Sequence, residues 1–171
     1  MPKVTRKQTT RKAMRKNSLT VLMLTVLTVV GVMTACNRMP LYSHYEHMPA
    51  TGWEKSEGVA FDISPVAQAG NYHEELGLRI DGDYPFQGLC LVVQQTILPS
   101  GYRHNDTIDC SLFDKNGRVK GYGINHYQYS FHINTLRLTE GDSLHILVKH
   151  NMKREIMPGV TDIGILLKKR R

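Results

Sequence analysis

Tyr127-Gln128-Tyr129-Ser130-Phe131-His132-Ile133 decides how this chain is read. Every second residue is large and apolar, and the residues between are polar. Side chains of a strand alternate between its two faces, so this pattern marks a half-buried β-strand. The same period extends outward in both directions. Val59, Phe61 and Ile63 alternate with Ala60 and Asp62. Leu76, Leu78 and Ile80 alternate with Gly77 and Arg79, and Leu89, Leu91 and Val93 follow. Ile108, Cys110 and Leu112, then Leu144, Ile146 and Val148, then Ile163, Ile165 and Leu167 complete the set. Between them stand turn signals: Asp81-Gly82-Asp83, Pro99-Ser100-Gly101, Lys115-Asn116-Gly117, Glu140-Gly141-Asp142 and Pro158-Gly159. After Ile133 the phase slips, because Leu136 and Leu138 are even-numbered; a bulge near Asn134-Thr135 is expected. No long stretch shows the helical period. Short strands with frequent turns predict an all-β domain, an antiparallel β-sandwich of jelly-roll type.

The charge sits at one end. The chain of 171 residues has a formal net charge of +7, but residues 1–35 hold seven Lys/Arg and no Asp or Glu. Subtracting seven from the 22 basic residues leaves 15, against 15 acidic ones, so residues 36–171 are formally neutral. A basic nucleic-acid-binding domain is excluded on that ground. The seven cations precede an uncharged stretch from Leu19 to Met33, which meets Thr34-Ala35-Cys36. Fifteen residues fall short of a bilayer span and suit the apolar helix of a signal peptide. Met33-Thr34-Ala35-Cys36 resembles a lipobox, so residues 1–35 read as a lipoprotein signal peptide and Cys36 as the lipidated residue. The residues after Cys36 include no nearby acid of the kind that resembles an inner-membrane retention or surface-export signal. The expected location is the outer membrane, with the domain facing the periplasm. Residues 36–57 read as the lipidated Cys and an aperiodic tether, 58–168 as the sandwich, and 169–171 as a basic tail. The bland reading of that tail is a solvated end; contact with anionic lipid is the sharper one.

Catalytic chemistry is not legible. There is no nucleophile elbow, phosphate loop or dinucleotide fingerprint. Asp81, Asp83, Asp106 and Asp109 lie near turns, where acids usually cap backbone amides. Eight histidines are present; none pairs with helical or strand metal-ligand spacing, and His44 and His47, three apart, fall in the tether. No metal, cofactor or enzymatic role is expected. With Cys36 assigned to lipid, Cys90 and Cys110 remain as a possible disulfide, which an exported protein permits; two buried free thiols are the alternative. Tyr84, Phe86, Tyr122, Tyr127 and Tyr129 are candidates for a sugar-stacking platform, although the strand phase puts Tyr127 and Tyr129 in the core. Arg79 stands on the polar face of its strand, and a structural role beside Asp81 and Asp83 is expected.

A resemblance rests on several segments together. Trp53 stands ahead of Val59-Ala60-Phe61, and Leu78-Arg79-Ile80 is followed by Asp83-Tyr84-Pro85-Phe86-Gln87-Gly88-Leu89. Asp106-Thr107-Ile108 and Asp114-Lys115-Asn116-Gly117-Arg118-Val119-Lys120-Gly121-Tyr122-Gly123 come next. His150-Asn151-Met152-Lys153-Arg154 then leads to Pro158-Gly159-Val160-Thr161-Asp162-Ile163-Gly164. Over roughly residues 53–167 the chain resembles the gliding-motility lipoprotein GldH family of Bacteroidetes. Val119 departs from it, since the family often carries a bulky aromatic there. The resemblance implies a non-catalytic envelope lipoprotein, anchored to the membrane through palmitate-type acylation of Cys36. Its expected partners are unidentified envelope proteins of a gliding-motility or type IX secretion complex, and no nucleic acid. Arg79, Tyr84, Pro85, Phe86, Met152, Gly159, Asp162 and Gly164 are its candidate contact or structural residues. Phe86 and Met152 lie outside clear strand phase, so each either meets a partner or plugs an end of the core. The competing reading is a lipid-anchored glycan-binding sandwich, which needs an exposed aromatic row near Tyr84 and Phe86.

Overall fold

The computed structural model describes residues 40–170. The expected lipoprotein signal peptide, residues 1–35, and Cys36 lie outside the described residues. Ten strands follow one another: β1 (Tyr42–His47), β2 (Trp53–Glu54), β3 (Val59–Ile63), β4 (Gly70–Asp81), β5 (Gly88–Leu98), β6 (Tyr102–Ser111), β7 (His126–Leu138), β8 (Ser143–His150), β9 (Ile156–Met157) and β10 (Val160–Lys169). No helix occurs among the described residues.

Two four-stranded sheets carry the fold, in the orders β1-β10-β4-β7 and β3-β8-β5-β6, with β2 and β9 paired apart from them. All pairings are antiparallel. With the short pair β2 and β9 set aside, the eight long strands make a jelly roll, the double Greek key expected from the sequence. The alternating residues face inward as read: Phe61, Leu76, Leu78, Leu91, Ile146, Ile163 and Leu167 are all buried in one core between the sheets. Burying each such side chain contributes about 1.5–3 kcal/mol, so the alternation is the main stabilising feature of the sequence.

The phase slip in β7 is a bulge. Glu74 opposes Asn134 and Glu75 opposes His132, so Ile133 has no partner of its own across the ladder. One extra residue turns Leu136 and Leu138 inward while β4 keeps its phase.

The stretch expected to be a tether is different. From residue 42 it belongs to the fold: β1 pairs with β10 across six residues, from Tyr42 opposite Leu167 to His47 opposite Asp162. Met48 and Trp53 are buried, and Trp53 Nε1 donates to the Glu57 carbonyl at 3.0 Å. Trp53 also meets His150 edge-on at 5.2 Å between ring centroids. β1 is an edge strand with polar residues on both faces, which is why it carries no alternation. Trp53→Ala is expected to lower stability by about 3–5 kcal/mol in urea unfolding followed by circular dichroism; a residue in a free tether would change nothing.

Candidate functional site

The candidate residues gather in two places. The first is the outer face of the β1-β10-β4-β7 sheet. Register puts Tyr45 opposite Gly164, and Gly164 opposite Gly77. Neither glycine has a side chain, so the Tyr45 ring lies over both strands; a Cβ at Gly164 would sit 2.6 Å from Tyr45 Cδ1. The Arg79 guanidinium stacks over the same ring, 4.3 Å from its centroid, in a cation–π contact. Arg79 Nε donates to Gln128 Oε1 at 3.2 Å, and Nη1 lies 4.0 Å from Asp162 Oδ1. His47 Nδ1 is 3.3 Å from that oxygen, and Thr161 Oγ1 donates to Asp162 Oδ2 at 2.8 Å. Burial raises the Tyr45 phenol above its ordinary pKa, and the Arg79 charge partly offsets this. Arg79 therefore bonds across strands to Gln128, Tyr45 and Asp162, not to the nearby turn acids the sequence suggested. Asp81 instead accepts the Asp83 amide at 2.9 Å in its own turn.

The second place is the end of the sandwich where β4 passes into β5. Tyr84 is only 6% exposed, and its hydroxyl donates to the Gly88 carbonyl at 2.8 Å. Phe86 meets Tyr84 edge-on at 5.8 Å and packs partly buried on the core, while Pro85 is exposed. Gly159 has φ of 73°, and a Cβ there would run into the Tyr84 backbone. The Asp81 amide donates to the Gly159 carbonyl at 2.9 Å, which joins the two loops. Met152 is half-buried against the core, and its Sδ accepts the Cys90 amide at 3.4 Å. It lines a shallow cavity of about 390 Å³ with Gln87, Cys90 and Asp109. Tyr84, Phe86 and Met152 thus close this end of the core.

The possible disulfide is absent: Cys90 and Cys110 are both free. Leu89 opposes Cys110 and Cys90 opposes Asp109, so the two cysteines sit one residue out of register and on opposite faces. Burial pushes the Cys110 thiol up to about 12. Burial first, and then the neighbouring Asp109, raise Cys90 as well. Neither thiol is activated as a nucleophile.

Polar residues inside the core were not singled out from the sequence. Glu74, Gln95 and His150 are all but fully buried. Gln95 Nε2 donates to Glu74 Oε2 at 2.7 Å and to Asp106 Oδ2 at 3.2 Å. Burial first, then the Asp106 charge, push the Glu74 carboxyl up to about 8, so it is largely protonated at neutral pH. Burial lowers His150 below its ordinary range. Strand phase held the signal: Glu74 is in step with Leu76 and Leu78, Gln95 with Leu91 and Val93, and His150 with Ile146 and Val148. On the outer face His73 and His132 stack at 4.2 Å with Glu75 beside His73. Among the described residues no group of three or more His, Cys, Asp or Glu side chains is placed to hold a metal ion.

The loop between β6 and β7 adds an exposed apolar feature at the same end as Tyr84. Tyr122 and Ile124 are 87% and 88% exposed. Two isolated bridges hold the loop, Phe113 with Val119 and Tyr122 with Gln128.

Residues 40–167 match the family model of the GldH lipoprotein. The chain is 24% identical over 143 residues to the gliding motility lipoprotein GldH of Flavobacterium johnsoniae, covering 80% of this chain and 89% of that protein. Among solved structures, a family GH115 4-O-methyl-alpha-glucuronidase with specificity for decorated arabinogalactans aligns with a TM-score of 0.46 and 13% identity, over 80% of this chain and 18% of that much longer one. The C-terminal domain of the sugar-binding protein EclA aligns with a TM-score of 0.38 and 7% identity, over 80% and 84%.

The buried carboxyl sets a pH dependence. Its folded pKa of about 8 stands above the ordinary 4.5, so between those values the folded chain holds a proton that the unfolded chain has lost. Stability contributed by this proton is complete below about 4.5 and is lost as pH rises toward 8, with a slope of about 1.4 kcal/mol per pH unit. Glu74→Gln keeps the shape without the titration, so its urea-unfolding free energy should lack this slope and exceed that of the wild type at pH 8.

Proposed function

Because the chain belongs to the GldH lipoprotein family, we propose that it is a non-catalytic envelope lipoprotein that binds a protein of a gliding-motility or type IX secretion complex. The observation that carries this reading is the loop bearing Tyr122 and Ile124, two large apolar side chains left almost fully in water on a rigid sandwich. Loops on a rigid scaffold are where contact residues concentrate, and exposed aromatic side chains are favoured anchors of protein interfaces. The glycan-binding alternative needs Tyr84 and Phe86 as an exposed row, yet Tyr84 is spent inside the fold and Phe86 packs beside it. Arg79, Asp162 and Gly164 serve in this reading to hold edge strand β1, and Tyr84, Phe86, Met152 and Gly159 to close the core, with Pro85 at the surface between them.

The anchor in this reading is acyl lipid on Cys36, and the location is the outer membrane with the domain in the periplasm. The supporting features are the order of cations, apolar run and small residues before Cys36, and the lack of acids just after it.

Two measurements test these statements. Radiolabelled palmitate should enter the wild-type chain and not Cys36→Ser; equal labelling of both removes the anchor from Cys36. A photo-crosslinking residue at position 122 or 124 should give discrete envelope-protein adducts in living cells, and one at position 84 none. Adducts from neither loop position, with the protein stably present, would count against the loop as the contact.

A further inference from the structure

We infer that the opposite end of the sandwich, formed around the start of β1 and the end of β10, rests on an anionic phospholipid surface. The inference rests on the lipid anchor at Cys36. It begins from the pairing of β1 with β10. The Leu41 amide donates to the Leu167 carbonyl at 2.8 Å, so the chain enters the fold beside the last turnward residues of β10. Only five peptide steps separate Cys36 from Leu41. At about 3.3–3.6 Å per residue they reach at most about 18 Å. An acylated Cys36 therefore keeps Leu41 within about 18 Å of the bilayer.

The chemistry of this end suits that surface. Lys168, Lys169 and Arg170 are exposed, and the Arg170 amide is fixed to the Asn71 carbonyl at 2.7 Å. Arg137 opposes Asn71 on β7, and Arg103 opposes Thr96 on β6. Against these five cations the same end carries three acids: Glu140 and Asp142 in the neighbouring turn, with Asp142 occupied by the amide and hydroxyl of Thr139, and Asp62 on β3, which lies 2.7 Å from His145 Nδ1. Three large apolar side chains stand exposed at the same end: Leu41, Leu98 and Tyr102, at 46%, 45% and 59%. Leu98 opposes Ser143 at the start of β8, which fixes its hairpin there. Cations attract anionic headgroups, and exposed apolar and tyrosine side chains enter the interfacial layer. The other end balances its signs, with Asp81, Asp83, Asp109, Asp114 and Glu155 against Lys115, Arg118, Lys120, Lys153 and Arg154. Net charge does not reveal this polarity, because the sequence after residue 35 sums to zero.

The test uses the mature lipidated protein purified from envelopes and returned to phosphatidylcholine vesicles containing brominated lipid, with and without phosphatidylglycerol. An environment-sensitive fluorescent amino acid replaces Tyr102 in one variant and Ile124 in another. The probe at 102 should shift to the blue and be quenched by brominated lipid when phosphatidylglycerol is present, and the probe at 124 should stay water-like. Lys168→Gln, Lys169→Gln and Arg170→Gln together should release the probe at 102 while the protein still floats with the vesicles. Flotation with a water-like probe at 102, or equal quenching at 102 and 124, overturns the inference and leaves the anchor intact. So do discrete protein adducts in place of lipid adducts from a crosslinker at 102 in cells. The anchor is judged separately, by flotation of wild type against Cys36→Ser. On the unacylated Cys36→Ser chain the three substitutions should weaken phosphatidylglycerol-dependent sedimentation roughly a hundredfold; no change there also overturns the inference.

Discussion

Tyr45 lies across Gly164 and Gly77, and much of the architecture depends on that contact. An edge strand with polar residues on both faces has little apolar area with which to hold its place. β1 gains it from one ring, set into a groove that exists because two paired residues of β10 and β4 lack side chains. Arg79 covers the outer face of the ring and ties it to Gln128 on β7, so one cluster spans all four strands of the sheet. With β1 held, the entry of the chain is fixed at the end of β10.

The two ends of the sandwich differ in their surfaces. The end beside Leu41 gathers cations and scattered apolar side chains, and the end beside Tyr84 is sealed by folded-back side chains with a bare apolar loop next to it. The strands between are long, up to thirteen residues in β7. At about 3.3 Å per residue such a strand spans about 40 Å. The strand that enters beside Leu41 and the loop bearing Tyr122 and Ile124 are therefore separated by the length of the core. The core contributes distance and rigidity.

The sandwich was legible because seven segments repeat with period two and bury what the period says they bury. The bulge was legible as a change of parity, since Ile133 and Leu136 cannot share a face of an uninterrupted strand. β1 was not legible. Tyr42-Ser43-His44-Tyr45-Glu46-His47 has no apolar face of its own, and its inward side is defined by β10, more than a hundred residues away. The partners of Arg79 were hidden for the same reason: register brings Tyr45 and Asp162 to it, whereas sequence offers only Asp81 and Asp83. Cys90 and Cys110 show the limit from the other side. A disulfide between them is compatible with composition and export, but the single-residue offset that puts the thiols on opposite faces is a property of the ladder.

Glu74 shows what parity reveals when it is followed without regard to residue type. A carboxyl in step with Leu76 and Leu78 must enter the core, and the core accepts it by keeping it protonated and giving it Gln95 from the facing sheet. Gln95 reaches on to Asp106 on edge strand β6, so a short polar chain crosses from the centre of one sheet to the rim of the other. Apolar packing alone would let the two sheets slide, since dispersion contacts are not directional. A buried amide that has both carboxyls within reach in one register only restricts that sliding. The cost is a group that must stay neutral, and the consequence is a fold whose stability depends on pH through a residue buried at the centre of the core.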